Sequence, residues 1–348
     1  MQQIDLRSDT ITRPTPAMRR AMANAEVGDD FYREDPTVSA LEEKAAALLE
    51  KPAAMLVLSG TMGNLVCLLA QADHGDGIVV GSTSHIYLNE AGNLSAVGGL
   101  LPRIVTDPNG VRTADQVLKE VRPESVLYAP TRLVCLENTH NAGGGRCLTP
   151  EQTTAVAAAA HAHGARLHLD GARIFNAAVA LSVTAADLAR PCDTITFCLS
   201  KGLCCPAGSL VVGSKDFIAR ARHRRQMLGG GMRQAGIIAA AGLVALDTMI
   251  NRLAEDHVNA RRFAQILVEC GFLLEAGGVE TNLIFAEAPA RFADAAALHG
   301  MLRTAGVLTN PPRGRRFRFV THADVSAAMI EEAGLRIRRA VSPITQRA

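Results

Sequence analysis

Short apolar runs rich in β-branched residues alternate along much of this chain with longer Ala- and Leu-rich stretches that carry charge at helical spacing. The runs are Met55–Leu58, Ile78–Val80, Leu133–Leu136, Arg166–Leu169, Thr194–Cys198 and Leu210–Val212, and the spacing predicts helices over Val38–Leu49, Asn64–Ala72 and Glu151–His163. Strands that read as unbroken apolar runs are buried on both faces. The alternation therefore predicts an α/β fold with a mostly parallel central sheet covered by helices on both sides. Ligands in such folds sit at the carboxyl ends of the strands. The texture changes after Gly229-Gly230-Gly231. A helical block from Gln234 to about Cys270 leads into a smaller region with elements at Thr281–Phe285, Arg316–Val320 and Asp324–Val341, so a domain boundary is expected near residue 250.

Composition narrows the field. Thirty-six basic against 34 acidic side chains leave a formal charge of +2, which gives no electrostatic reason to bind nucleic acid or an anionic membrane. The basic runs 220–225 and 313–318 read as solvated faces at this net charge. The start, Met1-Gln2-Gln3-Ile4-Asp5-Leu6-Arg7, lacks a signal-peptide core, and the expected location is cytoplasmic. Eight cysteines show no CxxC pair and no metal-site spacing, and are expected to be reduced core residues. His161-Ala162-His163 before Gly164 reads as a helix end, so no metal is expected.

Three segments could carry chemistry. In Leu58-Ser59-Gly60-Thr61-Met62-Gly63-Asn64 a strand runs through a glycine-punctuated turn into a helix, whose free amides suit a phosphate. An ordinary Ser-Gly-Thr cap reads equally well there. In His168-Leu169-Asp170-Gly171-Ala172-Arg173 a strand ends on Asp170, which would point into the ligand crevice or merely cap the next helix. In Thr194–Gly202 an apolar strand is closed by Lys201. Burial there would lower an amine's pKa, as attack on a carbonyl requires. In this order the three supply anchors for the phosphate, pyridine nitrogen and aldehyde of pyridoxal phosphate.

The motifs resemble those of the low-specificity L-threonine aldolases, pyridoxal-phosphate enzymes of the aspartate-aminotransferase-like fold (fold type I). The likeness runs through Asp5–Thr10, Gly28–Asp30, Glu34–Thr37, Ser59–Asn64, His85 with Glu90-Ala91-Gly92, and Glu137–Asn141. It continues through Asp170–Asn176, Leu199–Leu203, Gly229–Gln234 and Arg318–His322. The resemblance implies an N-terminal segment (1–30) that contributes to the active site, a large cofactor domain (31–250) and a small C-terminal α+β domain (251–348). It implies pyridoxal 5'-phosphate attached to Lys201, with Asp170 on the pyridine nitrogen, Gly60 and Thr61 on the phosphate, and His85 against the ring. Arg173 is expected at the cofactor and, with Ser8 and Arg318, at the substrate carboxylate. His85 is the expected base, with Glu90 as a weaker participant. Arg233 is expected to reach a neighbouring subunit's cofactor phosphate, which makes a homodimer the minimum unit, a tetramer being common among relatives.

The implied reaction is retro-aldol cleavage of L-threonine, L-allo-threonine and related β-hydroxy-α-amino acids to glycine and an aldehyde. A β-eliminating lyase or aminotransferase of the same fold is the alternative, since the three anchors are common to all of them. Two departures stand out. Relatives present a histidine where this chain has Val126-Leu127-Tyr128, which implies relaxed discrimination between threonine and allo-threonine. Cys204-Cys205 follow Lys201-Gly202-Leu203, which suggests modest sensitivity of activity to thiol oxidants.

Overall fold

The computed structural model describes residues 2–107, 109–110 and 113–341. The chain divides into two compact units, one of Arg13–Asn251 and one of Met1–Thr12 with Arg252–Ala348. The expected segment 1–30 is thus shared between the two, the break falling at Thr12/Arg13.

In chain order the strands are β1 (Ile4–Asp5), β2 (Ala53–Val57), β3 (Gly77–Gly81), β4 (Leu101–Val105), β5 (Thr131–Glu137), β6 (Arg166–Asp170), β7 (Thr194–Cys198) and β8 (Ser209–Gly213). The remaining four are β9 (Leu273–Leu274), β10 (Leu283–Glu287), β11 (Val307–Leu308) and β12 (Arg316–Val320). The large unit is built on a seven-stranded sheet of order β2-β8-β7-β6-β5-β3-β4. Only β8 runs against the rest, pairing antiparallel with both β2 and β7. The carboxyl ends of β2, β3, β5, β6 and β7 therefore share one edge of the sheet. Each of the six apolar runs became a strand, whereas β4 carries Pro102 and Arg103 and shows no such run.

Local chemistry fixes the covering helices. Asp35 caps Pro36–Leu48 through Val38 N–H, with proline at the first helical position, where its missing donor costs nothing. Thr149 and Gln152 form a capping box on Pro150–His161. That helix ends ahead of Gly164, whose φ of 73° favours glycine. The helical block expected from Gln234 to about Cys270 is two helices, Gly236–Thr248 and Leu253–Glu269. The break carries neither Gly nor Pro and coincides with the division between units.

The small unit holds the antiparallel sheet β12-β10-β9 and a parallel pair in which β1 joins β11. Its core is a phenylalanine cluster, with Phe263 against Phe319 at 5.4 Å and Phe272 against Phe317 at 5.8 Å. Replacing a buried phenylalanine of this kind by alanine costs about 3–5 kcal/mol.

The basic runs are only in part the solvated faces expected of them, with Arg220, His223 and Arg313 exposed. On Lys215–Met227, Arg225 is 5% exposed and binds Asp30 Oδ2 at 2.7 Å and Leu56 O at 2.7 Å. Arg222 pairs with buried Glu42, and Arg220 donates to Ala70 O. In the second run Arg315 donates to the carbonyls of Phe292 and Ala288, and Arg316 pairs with Glu275 while lying 3.8 Å over the Phe285 ring. Arg222, Arg225, Arg315 and Arg316 thus bind main-chain carbonyls and carboxylates within the fold.

Candidate active site

The parallel edge of the large unit gathers the titratable groups. Asp170 ends β6, Glu137 ends β5 and is its register partner, His85 lies four residues past β3, and Lys201 lies three past β7. Asp170 is 3% exposed and accepts from Ala172 N at 3.1 Å and from Asn64 Nδ2 at 2.9 Å. The local contact falls ahead of the helix Ile174–Leu181, which has no side-chain cap, so Asp170 does not cap that helix and turns its other oxygen inward to Asn64. Glu137 spans two loops, accepting from His85 N at 2.7 Å and from Asn141 N at 2.8 Å. Lys201 sits in a bend, half-buried, rather than inside the strand.

His85 opens the short helix His85–Leu88, and its Nδ1 lies 2.9 Å from Glu90 Oε1. Because that carboxylate accepts, Nδ1 carries the proton and Nε2 presents a lone pair with no partner among the described residues. Burial pulls the pKa of His85 down. The Glu90 hydrogen bond and the charges of Asp170, Glu90 and Glu137 outweigh it, and the net displacement is upward. Glu90 is 2% exposed. Burial pushes its carboxyl up, and the hydrogen bonds from His85 and Asn64 offset this only in part. Its Oε2 is buried with no hydrogen-bond partner. His85, Glu90 and Asp170 bring ligand-type atoms within 4.8 Å of one another, but Asn64 and their mutual bonds already engage them.

The loop after β2 supplies a different chemistry. Ser59 caps the helix Gly60–Leu69 by accepting from Met62 N. The amides of Gly60 and Thr61 then have no acceptor among the described residues, at the positive end of the helix dipole. A Cβ at Gly60 would stand 2.7 Å from Cys198 Sγ, so glycine is required for the helix start to sit this close to β7. Arg173 takes the N-cap position of Ile174–Leu181 and is 7% exposed. Arg233 is held by Asp29 at 3.2 Å and lies 4.9 Å over the Phe31 ring, with 59% of its side chain exposed.

In the small unit, Ser8 accepts from the amide and hydroxyl of Thr10 at the head of a 3-10 turn. Arg318 lies on β12 and donates to Arg7 O at 3.1 Å. All eight cysteines are buried, and burial pushes the Cys205 thiol up to about 12. Cys204 and Cys205 are both buried, which weighs against ready access of a thiol oxidant to either. Val126, Leu127 and Tyr128 are exposed.

Sequence reasoning missed Asn64. The motif containing it was noted, yet its partners lie 26 to 132 residues away and no local signal marks them.

Relatedness agrees with this geometry. The beta-eliminating lyase family model matches residues 5–290. Low-specificity L-threonine aldolase 1 of Arabidopsis thaliana is 43% identical over 335 residues, covering 94% of this chain and 93% of that protein. The chain belongs to the low-specificity L-threonine aldolase family. The low specificity L-threonine aldolase of Escherichia coli K12 is likewise 43% identical, covering 94% of this chain and 96% of its own. A threonine aldolase from Leishmania major superposes with a TM-score of 0.83 at 20% identity, over 97% of this chain and 99% of that one. The fold is therefore that of the threonine aldolases, fold type I, as the resemblance implied. The Ser59–Asn64 turn, His85, Glu90 and Asp170 of this family member stand on one edge of its sheet.

Proposed function

We propose that the protein cleaves L-threonine, L-allo-threonine and related β-hydroxy-α-amino acids between Cα and Cβ, giving glycine and an aldehyde, with pyridoxal 5'-phosphate as cofactor. The observation that carries this reading is the pairing of a basic, Glu90-braced His85 with buried Asp170, beside unclaimed amides at the head of the helix Gly60–Leu69. The donor set fits the cofactor. Gly60 and Thr61 offer amide donors to a phosphate, Asp170 offers a buried carboxylate to a ring nitrogen, and Lys201 offers the amine for covalent attachment. The unpaired Glu90 Oε2 is a further acceptor suited to a ligand proton.

When bound, the cofactor supplies an electron sink for the bond-breaking step. His85 Nε2 removes the β-hydroxyl proton, and Glu90 holds the opposite edge of the ring so that the lone pair stays aimed at the substrate. The imidazolium so formed is stabilised by the charges of Glu90, Asp170 and Glu137 that already raise its pKa. Arg173 presents a planar fork to the substrate carboxylate. The parts assigned to Ser8 and Arg318 in substrate binding rest on the family resemblance. A homodimer or larger assembly belongs to the same proposal, with Arg233 reaching a neighbour's phosphate. Its large exposed fraction supports that part, and sedimentation tests it, since a monomer at assay concentration counts against it.

Absorption of the purified protein is the decisive measurement. A visible band from the lysine-attached cofactor is expected, absent from Lys201→Ala. A fully reconstituted wild-type protein without that band sinks the cofactor reading. Mixing with L-allo-threonine is expected to release acetaldehyde and glycine. Pyruvate and ammonia from serine, without aldehyde release, would make it a β-eliminating lyase.

A further inference from the structure

Behind the site runs a buried hydrogen-bond chain whose direction follows atom by atom. Asn64 Nδ2 faces two carboxylates, Glu90 Oε1 at 2.7 Å and Asp170 Oδ2 at 2.9 Å, and must donate to both. Its Oδ1 therefore accepts, from Thr196 Oγ1 at 2.8 Å and from His168 Nε2 at 3.2 Å. The proton of His168 is thus on Nε2. Burial lowers the pKa of this ring to about 4, so it is neutral and its Nδ1 accepts from Thr194 Oγ1 at 3.0 Å. Thr194 Oγ1 in turn accepts from Gln71 Nε2 at 2.9 Å. Every link from Gln71 to the carboxylates points the same way, and such chains strengthen through mutual polarisation.

We propose that Asn64 is a positioning residue whose carboxamide, oriented by Thr196 and His168, binds Glu90 and Asp170 together so that the two carboxylates act as one unit. The assignment of Asp170 to a pyridine nitrogen rests on the function proposed above, whereas the linkage between the carboxylates does not. Asn64 stands on the helix whose first amides, at Gly60 and Thr61, face the phosphate position. One rigid element thus presents the phosphate donors and orients the carboxylate for the opposite end of the cofactor. Gly63 makes this approach possible, since a Cβ there would stand 3.0 Å from Thr196 Cγ2 and 3.4 Å from Val211 Cγ2.

Without the carboxamide, Glu90 loses a donor while remaining buried beside Asp170. Like charges with no donor between them drive a proton onto one of them, and Glu90 is the carboxyl already pushed up. His85 then keeps only Asp170 and Glu137 as facing charges, and its own titration moves down.

Three readings of the full-length protein test this. In the cofactor-free wild type, nitrogen NMR of labelled histidine is expected to find His168 neutral with its proton on Nε2 throughout the neutral range. A neutral ring with its proton on Nδ1 takes the donor away from Asn64 Oδ1 and overturns the proposal. In Asn64→Leu, checked for folding by circular dichroism, the His85 midpoint is expected to fall by about half a unit or more. The dissociation constant for pyridoxal phosphate is expected to rise about tenfold, the loss of roughly one charge-assisted hydrogen bond. Thr196→Val, which leaves every carboxylate contact in place, is expected to produce smaller shifts in the same directions, and it carries the test if Asn64→Leu fails to fold. A folded variant whose His85 midpoint is that of wild type overturns the linkage. If the wild type takes up no cofactor, the functional proposal fails, and Asn64 is judged on the two histidine titrations.

Discussion

The two units bury charge in opposite ways. In the small unit, Asp256 is fully buried one helical turn from Arg252, which pairs with it and is the main cation that it faces. Burial there drives groups toward their neutral forms, lifting Asp256 to about 6 and lowering His257 to about 4. In the large unit three carboxylates, Glu90, Asp170 and Glu137, act on the His85 imidazole, which is displaced toward its charged form despite burial. A surplus of negative charge that burial should have discouraged is a poor design for stability. It is a good one for receiving a protonated ring nitrogen and for stabilising an imidazolium formed during reaction.

The sharpest way to break this comparison is to remove the imidazole. His85→Asn keeps a polar side chain at the helix start but deletes the base, and kcat is expected to fall about 10²–10⁴-fold, the range for general-base catalysis. Thermal stability should change much less than kcat, because His85 is only partly buried and the asparagine amide can donate to Glu90 in place of Nδ1. Steady-state kinetics together with a melting curve check it. A variant within a few-fold of wild type in kcat would move the proton transfer to another group.

The reverse outcome is expected in the small unit. Arg252→Met leaves Asp256 without its cation in a fully buried position, and breaking such a pair costs about 3–5 kcal/mol of stability at neutral pH. The penalty should shrink as pH falls through about 6, where Asp256 takes up a proton and needs no partner. Denaturant unfolding at two pH values measures it, and an equal penalty at both would remove the charge argument.

How much of this was legible in the sequence follows from where each partner lies. The six apolar runs announced six strands, because burial on both sides demands unbroken hydrophobic residues. Strand β4, with Pro102 and Arg103 at one end of the sheet, gave no such signal. Lys201, Asp170 and the Ser59–Asn64 turn were recognisable because each sits next to a strand end in its own segment. Asn64 as a bridge was not, since its four partners come from one loop and two strands far along the chain. The arginine runs were misjudged in part, and for a related reason: carbonyls that attract a guanidinium, such as Leu56 O for Arg225, leave no trace in composition.

The smallest expected effect is also the most specific to the large unit's charge surplus. A general base works in its neutral form, so the rate should rise with pH as His85 loses its proton, with a midpoint above the ordinary 6.5 because Glu90, Asp170 and Glu137 favour the cation. Glu90→Gln keeps an acceptor for Nδ1 and the bulk of the side chain while deleting one of those charges. A charge-assisted bond becomes a neutral one, a difference of about 1 kcal/mol, and the midpoint of the acid limb should fall by slightly less than one unit. The direction is the informative part. A hydrogen bond that only located the ring would change kcat without moving the limb, whereas a charge that tunes it must move the limb downward. Arg252→Met, which acts on stability alone, should leave the limb where it is. A limb unmoved in Glu90→Gln would mean that the group titrating in the reaction is not His85 held by Glu90.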